Sequence, residues 1–200
     1  SRFMRCKTAV LLLGLSLLWC CASAQAATAD LPAGQPDKPL VIYYSRTGTS
    51  AMLAHRISDL LACPREEVRS KKNRFYLGTL TCVNDQLFDR DDENEPSGTK
   101  LNEYNPLIIV SPVWIHKLAS PMRTYLKNHD LQGRQVYVFA TNQGNYTKEK
   151  DEQEIRTWLV SRGAKVLDFR GIMTKDKPWE ALRRESESLL KDTKLLKDMQ

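Results

Sequence analysis

Leu40-Val41-Ile42-Tyr43-Tyr44 is an unbroken apolar and β-branched run. It is followed at once by a polar hexapeptide and then by Leu53, Ile57, Leu60 and Leu61 at helical spacing. A strand without a polar face is covered on both sides, so this segment predicts a buried strand, a tight loop and a covering helix. The unit recurs. Leu107-Ile108-Ile109-Val110 is followed by Met122, Tyr125 and Leu126. Val136-Tyr137-Val138-Phe139-Ala140 is followed by Ile155, Trp158 and Leu159, with Gly163 as the stop. Val166-Leu167-Asp168-Phe169 is a further strand and Glu67-Val68-Arg69 a short one, while Trp179, Leu182 and the leucines of residues 189–196 mark one closing helix. Strands alternating with helices imply a parallel sheet with helices on both faces, and right-handed crossovers leave few ways to connect it. With 200 residues, 42% of them hydrophobic, the chain can build one core without metal or disulfide staples.

The first residues follow different rules. Arg5 and Lys7 precede an apolar stretch over residues 9–20, and Ala22-Ser23-Ala24 offers a small-x-small cleavage site. This is the layout of a signal peptide, over residues 1–24. The stretch is shorter than the ~20 residues needed to span a bilayer. Trp19 before Cys20, and Cys20 before Cys21, stand where a lipid-attachment site wants a small residue, so a lipoprotein is the lesser reading. Residues 25–38, with two prolines and one glycine, read as a linker, and residues 39–200 as the folded domain. The expectation is an exported protein, periplasmic or of the cell envelope, with no transmembrane segment in its mature form. Cleavage removes Arg2, Arg5 and Lys7 and no acid, leaving 27 basic against 24 acidic residues, so the net charge falls from +6 to +3. That balance, without a basic and aromatic stripe, points away from nucleic acid.

Three of the five cysteines leave with the leader, and Cys63 and Cys82 remain either as a bridge or as two separate buried thiols. Residues 71–98 lose the periodicity, with Phe75, Tyr76, Leu77, Leu87 and Phe88 as isolated anchors. The acidic run over residues 89–95 superficially resembles a calcium loop. Asn94 and Lys100 stand where such a loop needs glycine and glutamate, so a solvated charged loop is expected.

In open α/β sheets, ligands bind beyond the carboxyl ends of the strands, at a switch point in strand order. Three loops fall there. Ser45-Arg46-Thr47-Gly48-Thr49-Ser50 brings hydroxyls and backbone N–H groups to a helix N-terminus, and Gly48 permits the tight turn. Such a cluster favours a phosphate. The absent Gly-Lys-Ser/Thr ending excludes a nucleoside triphosphate loop. The same hexapeptide also reads as a plain turn capped by Ser50. The second loop carries Pro112, Val113, Trp114, Ile115 and His116, with Trp114 either stacked on a planar ligand or packed in the core. The third, Thr141-Asn142-Gln143-Gly144-Asn145-Tyr146, offers amides, a glycine and another aromatic, or is an ordinary polar loop. His116 reads as a partly exposed loop residue, and His55 and His129 as structural or surface residues.

Taken in order, these loops resemble those of the flavodoxin-like family. Residues 45–50 are similar to its Ser/Thr-x-Thr-Gly-x-Thr/Ser phosphate loop. Pro112-Val113-Trp114, with Ala119, Pro121 and Arg123-Thr124-Tyr125-Leu126, resembles the segment carrying one isoalloxazine loop, and Phe139-Ala140-Thr141 through Gly144 the segment carrying the other. The resemblance spans residues 39–175. It implies an α/β three-layer sandwich, with a five-stranded parallel sheet in the order 2-1-3-4-5 and noncovalent FMN. Ser45, Arg46, Thr47, Gly48, Thr49 and Ser50 would hold the ribityl phosphate. Trp114 would flank the ring, beside the backbone of Pro112, Val113, Ile115 and His116. Asn142, Gln143, Gly144, Asn145 and Tyr146 would meet the ring edge, Tyr146 as a second stacker.

The implied activity is electron or hydride transfer at the flavin, tuned by burial, stacking and hydrogen bonds, with no catalytic acid or base required. Export favours a redox partner protein or a quinone-like acceptor over a nicotinamide. The alternatives are an FMN-dependent quinone-type reductase and an interaction module of the same fold without FMN. A mature charge of +3 also departs from the acidic surface usual for soluble flavodoxin shuttles.

Overall fold

The structure, a computed structural model, describes residues 38–72, 91–144 and 146–198. The leader, most of the linker, Cys82, Asn145 and the anchors Phe75, Tyr76, Leu77, Leu87 and Phe88 lie outside the described residues. The elements run β1 (Leu40–Tyr43), α1 (Thr49–Leu61), β2 (Arg65–Glu67), β3 (Leu107–Trp114), β4 (Lys117–Leu118), α2 (Ser120–Lys127), β5 (Gln135–Asn142), α3 (Gln153–Ser161), β6 (Lys165–Met173), α4 (Trp179–Lys191) and α5 (Lys194–Asp198). One π-helical turn, Lys148–Glu152, leads into α3.

Five strands form a parallel sheet in the order β2-β1-β3-β5-β6, and β4 pairs antiparallel with the end of β3. Without the two-residue β4 this is the order 2-1-3-4-5. The sheet buries both faces because successive side chains alternate across it. Leu40 and Ile42, Leu107 and Ile109, and Val136 and Val138 face one core with Met122 and Leu126 of α2 and Ile155 and Leu159 of α3. Val41, Ile108, Val110, Tyr137 and Phe139 face the other, with Leu53 and Ile57 of α1, Leu182 and Leu190 of α4 and Leu195 of α5. Truncating one of these fully buried side chains to Ala costs ~2–5 kcal/mol.

Local chemistry explains the element ends. Pro121 sits in the first turn of α2, where a missing N–H costs nothing. Gly163, at φ 86°, ends α3. A bulge on β6 between its pairings with Val136 and Tyr137 keeps Val166 and Phe169 on one face and Ile172 on the other.

Several expectations need correction. The sheet has a sixth strand because β3 runs on past Val110 and folds back at Ile115-His116. The polar turn after β1 is shorter than residues 45–50, because α1 already begins at Thr49. Gly48, not Ser50, holds the N-cap position. β2 lies two residues before the predicted short strand, and the closing helix is two helices divided near Thr193. In residues 91–99 the charged side chains of Asp91, Glu93 and Glu95 are solvated, but the segment is also tied down. Asp92 is buried, and its N–H donates to Thr124 Oγ1 at 2.7 Å. Asn94 Nδ2–H donates to the Pro121 carbonyl at 2.9 Å, and Ser97 and Thr99 both bond Glu66. Cys63 is a half-buried free thiol whose pKa burial pushes up. Among the described residues, no helix is long and apolar enough to cross a membrane.

Candidate functional site

The three predicted loops meet at the carboxyl ends of β1, β3 and β5, around a cavity of about 410 Å³. This is the point where strand order reverses direction about β1 and β3.

Its polar end is the N-terminus of α1. Gly48 adopts φ 92°, which glycine reaches without strain, and its N–H donates to Ser45 Oγ at 3.1 Å. Ser45 and Gly48 thus shape the turn, while Arg46, Thr47, Thr49 and Ser50 line the cavity. No side chain caps α1, and its first turn holds no acidic residue. Its leading N–H groups therefore lack intrahelical acceptors, and the helix dipole adds partial positive charge. With Arg46 also lining the cavity, this end suits an anion. Ser50 and Thr141 hydroxyls share a buried hydrogen bond at 2.8 Å, which ties the start of α1 to the end of β5.

The second wall is the β3–β4 hairpin. Pro112, Val113, Trp114, Ile115 and His116 all line the cavity. Trp114 stands edge-on to Tyr44, ring centroids 5.7 Å apart and planes at 88°. Ile115 and His116 form a two-residue turn with φ 44° and 65°, the all-positive geometry of a type I′ hairpin. His116 is more than a loop residue. Its Nδ1 meets Oδ1 of Asp151, a carboxylate whose side chain is 1% exposed. The other carboxylate oxygen accepts the Thr147 N–H at 2.8 Å.

The third wall follows β5. Asn142 and Gln143 line the cavity, and the Asn142 side chain also holds its own turn, accepting the Gly144 N–H at 3.1 Å and donating to the Ile172 carbonyl at 3.2 Å. Gly144, at φ 99°, shapes the loop without lining the cavity. Tyr146 lines it and lies parallel to Phe169, centroids 6.4 Å apart. Burial, helped by Glu152 and Asp151, pushes its phenol up to about 12. A Cβ at Gly171 would stand 3.0 Å from the Tyr146 ring, so Gly171 gives that ring its seat.

Sequence reading missed two contributors. Thr174, after β6, reaches back to line the cavity and donates its hydroxyl to the Asn142 carbonyl at 2.9 Å. Asp151 carried no local signal, since one acid among the charged residues 148–152 looks like its neighbours. His55 and His129 lie off the cavity. His55 Nε2 bonds Tyr43 OH at 3.3 Å, and His129 stacks on Tyr125 while its Nδ1–H donates to the Tyr125 carbonyl at 2.7 Å.

The start of a helix joined to aromatic and apolar walls has the chemistry to suit a phosphorylated planar molecule. The strand order, with this cavity at its switch point, defines the flavodoxin-like fold. Solved structures agree. A flavoprotein of Lactobacillus acidophilus, in complex with FMN, matches with TM-score 0.57 and 24% identity, over 68% of this chain and 93% of its own. A protein of Bacteroides uniformis described as a flavoprotein matches with TM-score 0.60 and 21% identity, over 78% of this chain and 98% of its own. A similarly described protein of Bacteroides eggerthii matches with TM-score 0.58 and 17% identity, over 76% and 98%. At these identities the likeness is one of fold. No family model matches the sequence, and no curated protein does.

Proposed function

We propose that this chain binds FMN noncovalently and serves as an exported electron-transfer flavoprotein. The observation that carries the reading is one cavity with two kinds of wall: the uncapped start of α1 with Arg46, and the aromatic side chains of Trp114 and Tyr146. The donor set fits the group. Backbone N–H groups of α1 with Thr47 and Thr49 would hold the phosphate, Trp114 and Tyr146 would flank the ring, and Gln143 would meet its edge. Bound FMN supplies one- or two-electron transfer. The protein's part is to exclude water, to stack and to hydrogen-bond.

Export rests on residues 1–24, whose basic start, apolar stretch and small-residue cleavage site make a leader to the periplasm or cell envelope. Electrons would then pass to a redox partner protein or a quinone-like acceptor. Ile115, 40% exposed beside the cavity, favours a second reading as an FMN-dependent quinone-type reductase, because an apolar rim suits a planar apolar acceptor.

The test is FMN affinity of the purified protein against Thr47→Ala and Thr49→Ala variants, followed by turnover with nicotinamide and a quinone. Weaker FMN binding in both variants supports the phosphate end, and unchanged binding contradicts it. Steady nicotinamide–quinone turnover would select the reductase.

A further inference from the structure

The tip of the β3–β4 hairpin is held in a conformation that Ile115 resists. Ile115 and His116 both have positive φ, and a β-branched residue there is a backbone outlier. Such strain persists only where surrounding contacts over-determine it, and it gathers at ligand clamps. Here the contact is the one between His116 and Asp151, which joins the hairpin to the π-helical turn before α3. π-turns of this kind frequently mark functional sites. Asp151 is buried, and both of its oxygens are engaged, by His116 Nδ1 and the Thr147 N–H. His116, by contrast, leaves 34% of its side chain exposed and lines the cavity.

We propose that Asp151 is a positioning residue that fixes the ring of His116, so that Nε2 serves the cavity as an acceptor for an N–H or O–H on the edge of a planar ligand. This rests on the reading of the cavity as an FMN site. A carboxylate only accepts hydrogen bonds, so Nδ1 carries the proton shared with Asp151. In the neutral ring the other nitrogen is then a lone-pair acceptor. The arrangement repeats a general device in which a buried acid sets the tautomer and orientation of an imidazole that faces a ligand. It also gives the strained tip a purpose, since relaxing the hairpin would carry the imidazole away from the carboxylate.

The test is long-range ¹H–¹⁵N correlation of the FMN-free, ¹⁵N-labelled full chain, with His116 assigned by its loss in His116→Gln. The expected spectrum shows protonated Nδ1 and unprotonated Nε2 in the wild type, moving toward the Nε2–H form in Asp151→Asn. In parallel, Asp151→Asn should weaken FMN about five- to tenfold, the worth of one neutral hydrogen bond. A protonated Nε2 in the wild type, from the other tautomer or a doubly protonated ring, overturns the proposal whatever the variants do. Unchanged FMN affinity in a folded Asp151→Asn overturns the acceptor role. A wild type that shows the Nδ1–H tautomer yet binds no FMN overturns the cavity reading, and the acceptor role with it.

Discussion

Ser50 and Thr141 offer a measurable link between the stability of this fold and the shape of its cavity. Their hydroxyls are 2.8 Å apart, and the residues are 2% and 4% exposed, so each is the other's substitute for water. Ser50→Ala leaves the Thr141 hydroxyl buried without that partner, and Thr141→Val does the same to Ser50. Either loss costs ~1–3 kcal/mol, whereas removing both polar groups together leaves an apolar contact and costs less than either single change. The two changes are therefore strongly non-additive, with a coupling of at least ~1 kcal/mol. In urea, with a slope of ~2 kcal/mol/M, each single variant should lower the midpoint by ~0.5–1.5 M, and the double variant by clearly less than the sum. Equilibrium urea unfolding of the four proteins gives the cycle. Because the bond ties the start of α1 to the end of β5, the double variant should also bind FMN more weakly than its restored stability would suggest. Additivity within ~0.5 kcal/mol would refute the account of this bond.

Three further outcomes are expected. Gly171→Ala places a Cβ 3.0 Å from the Tyr146 ring and pushes the ring outward, so absorbance titration should show the phenol moving down from about 12; an unchanged titration would count against that packing. Stability should decline at high pH. The unfolded tyrosines ionise near ~10, while burial raises Tyr146 to about 12 and Tyr125 and Tyr137 further. The folded state therefore keeps protons the unfolded state loses, and its contribution, full below pH ~10, disappears as pH rises through ~12. Urea midpoints between pH 8 and 11.5 should show the fall, and Tyr146→Phe should remove part of it. Ile115→Asn places a residue tolerant of positive φ at the hairpin tip and should relieve ~1 kcal/mol of strain, raising Tm by ~2–4 °C; a lower Tm would mean the apolar side chain matters more than the backbone.

The parallel sheet was legible because strands buried on both faces leave continuous apolar runs: Leu40 to Tyr43, Leu107 to Val110 and Val136 to Ala140 have no polar side to obscure them. The strand-to-helix turn was legible because a glycine and hydroxyls between a buried strand and a helical repeat mark a tight loop. β4 was hidden because its turn uses isoleucine and histidine, where turn chemistry predicts asparagine and glycine. Asp151 and Thr174 were hidden because only the tertiary fold brings them to the cavity. The ties of residues 91–99 were hidden for the same reason: Asp92 and Asn94 read as solvated charge and polarity until Thr124 and Pro121 of α2 come to meet them.

On the proposed reading, the cavity between α1, the β3–β4 hairpin and the loop after β5 holds FMN by its phosphate and its ring together. Side-by-side titration of the purified protein with FMN and riboflavin, followed by visible absorption and flavin fluorescence, tests it most directly. The expected result is saturable one-to-one FMN binding with a perturbed flavin spectrum, and riboflavin binding weaker by about tenfold or more because it lacks the anion that the start of α1 would receive. A folded protein that leaves the FMN spectrum unchanged would contradict it.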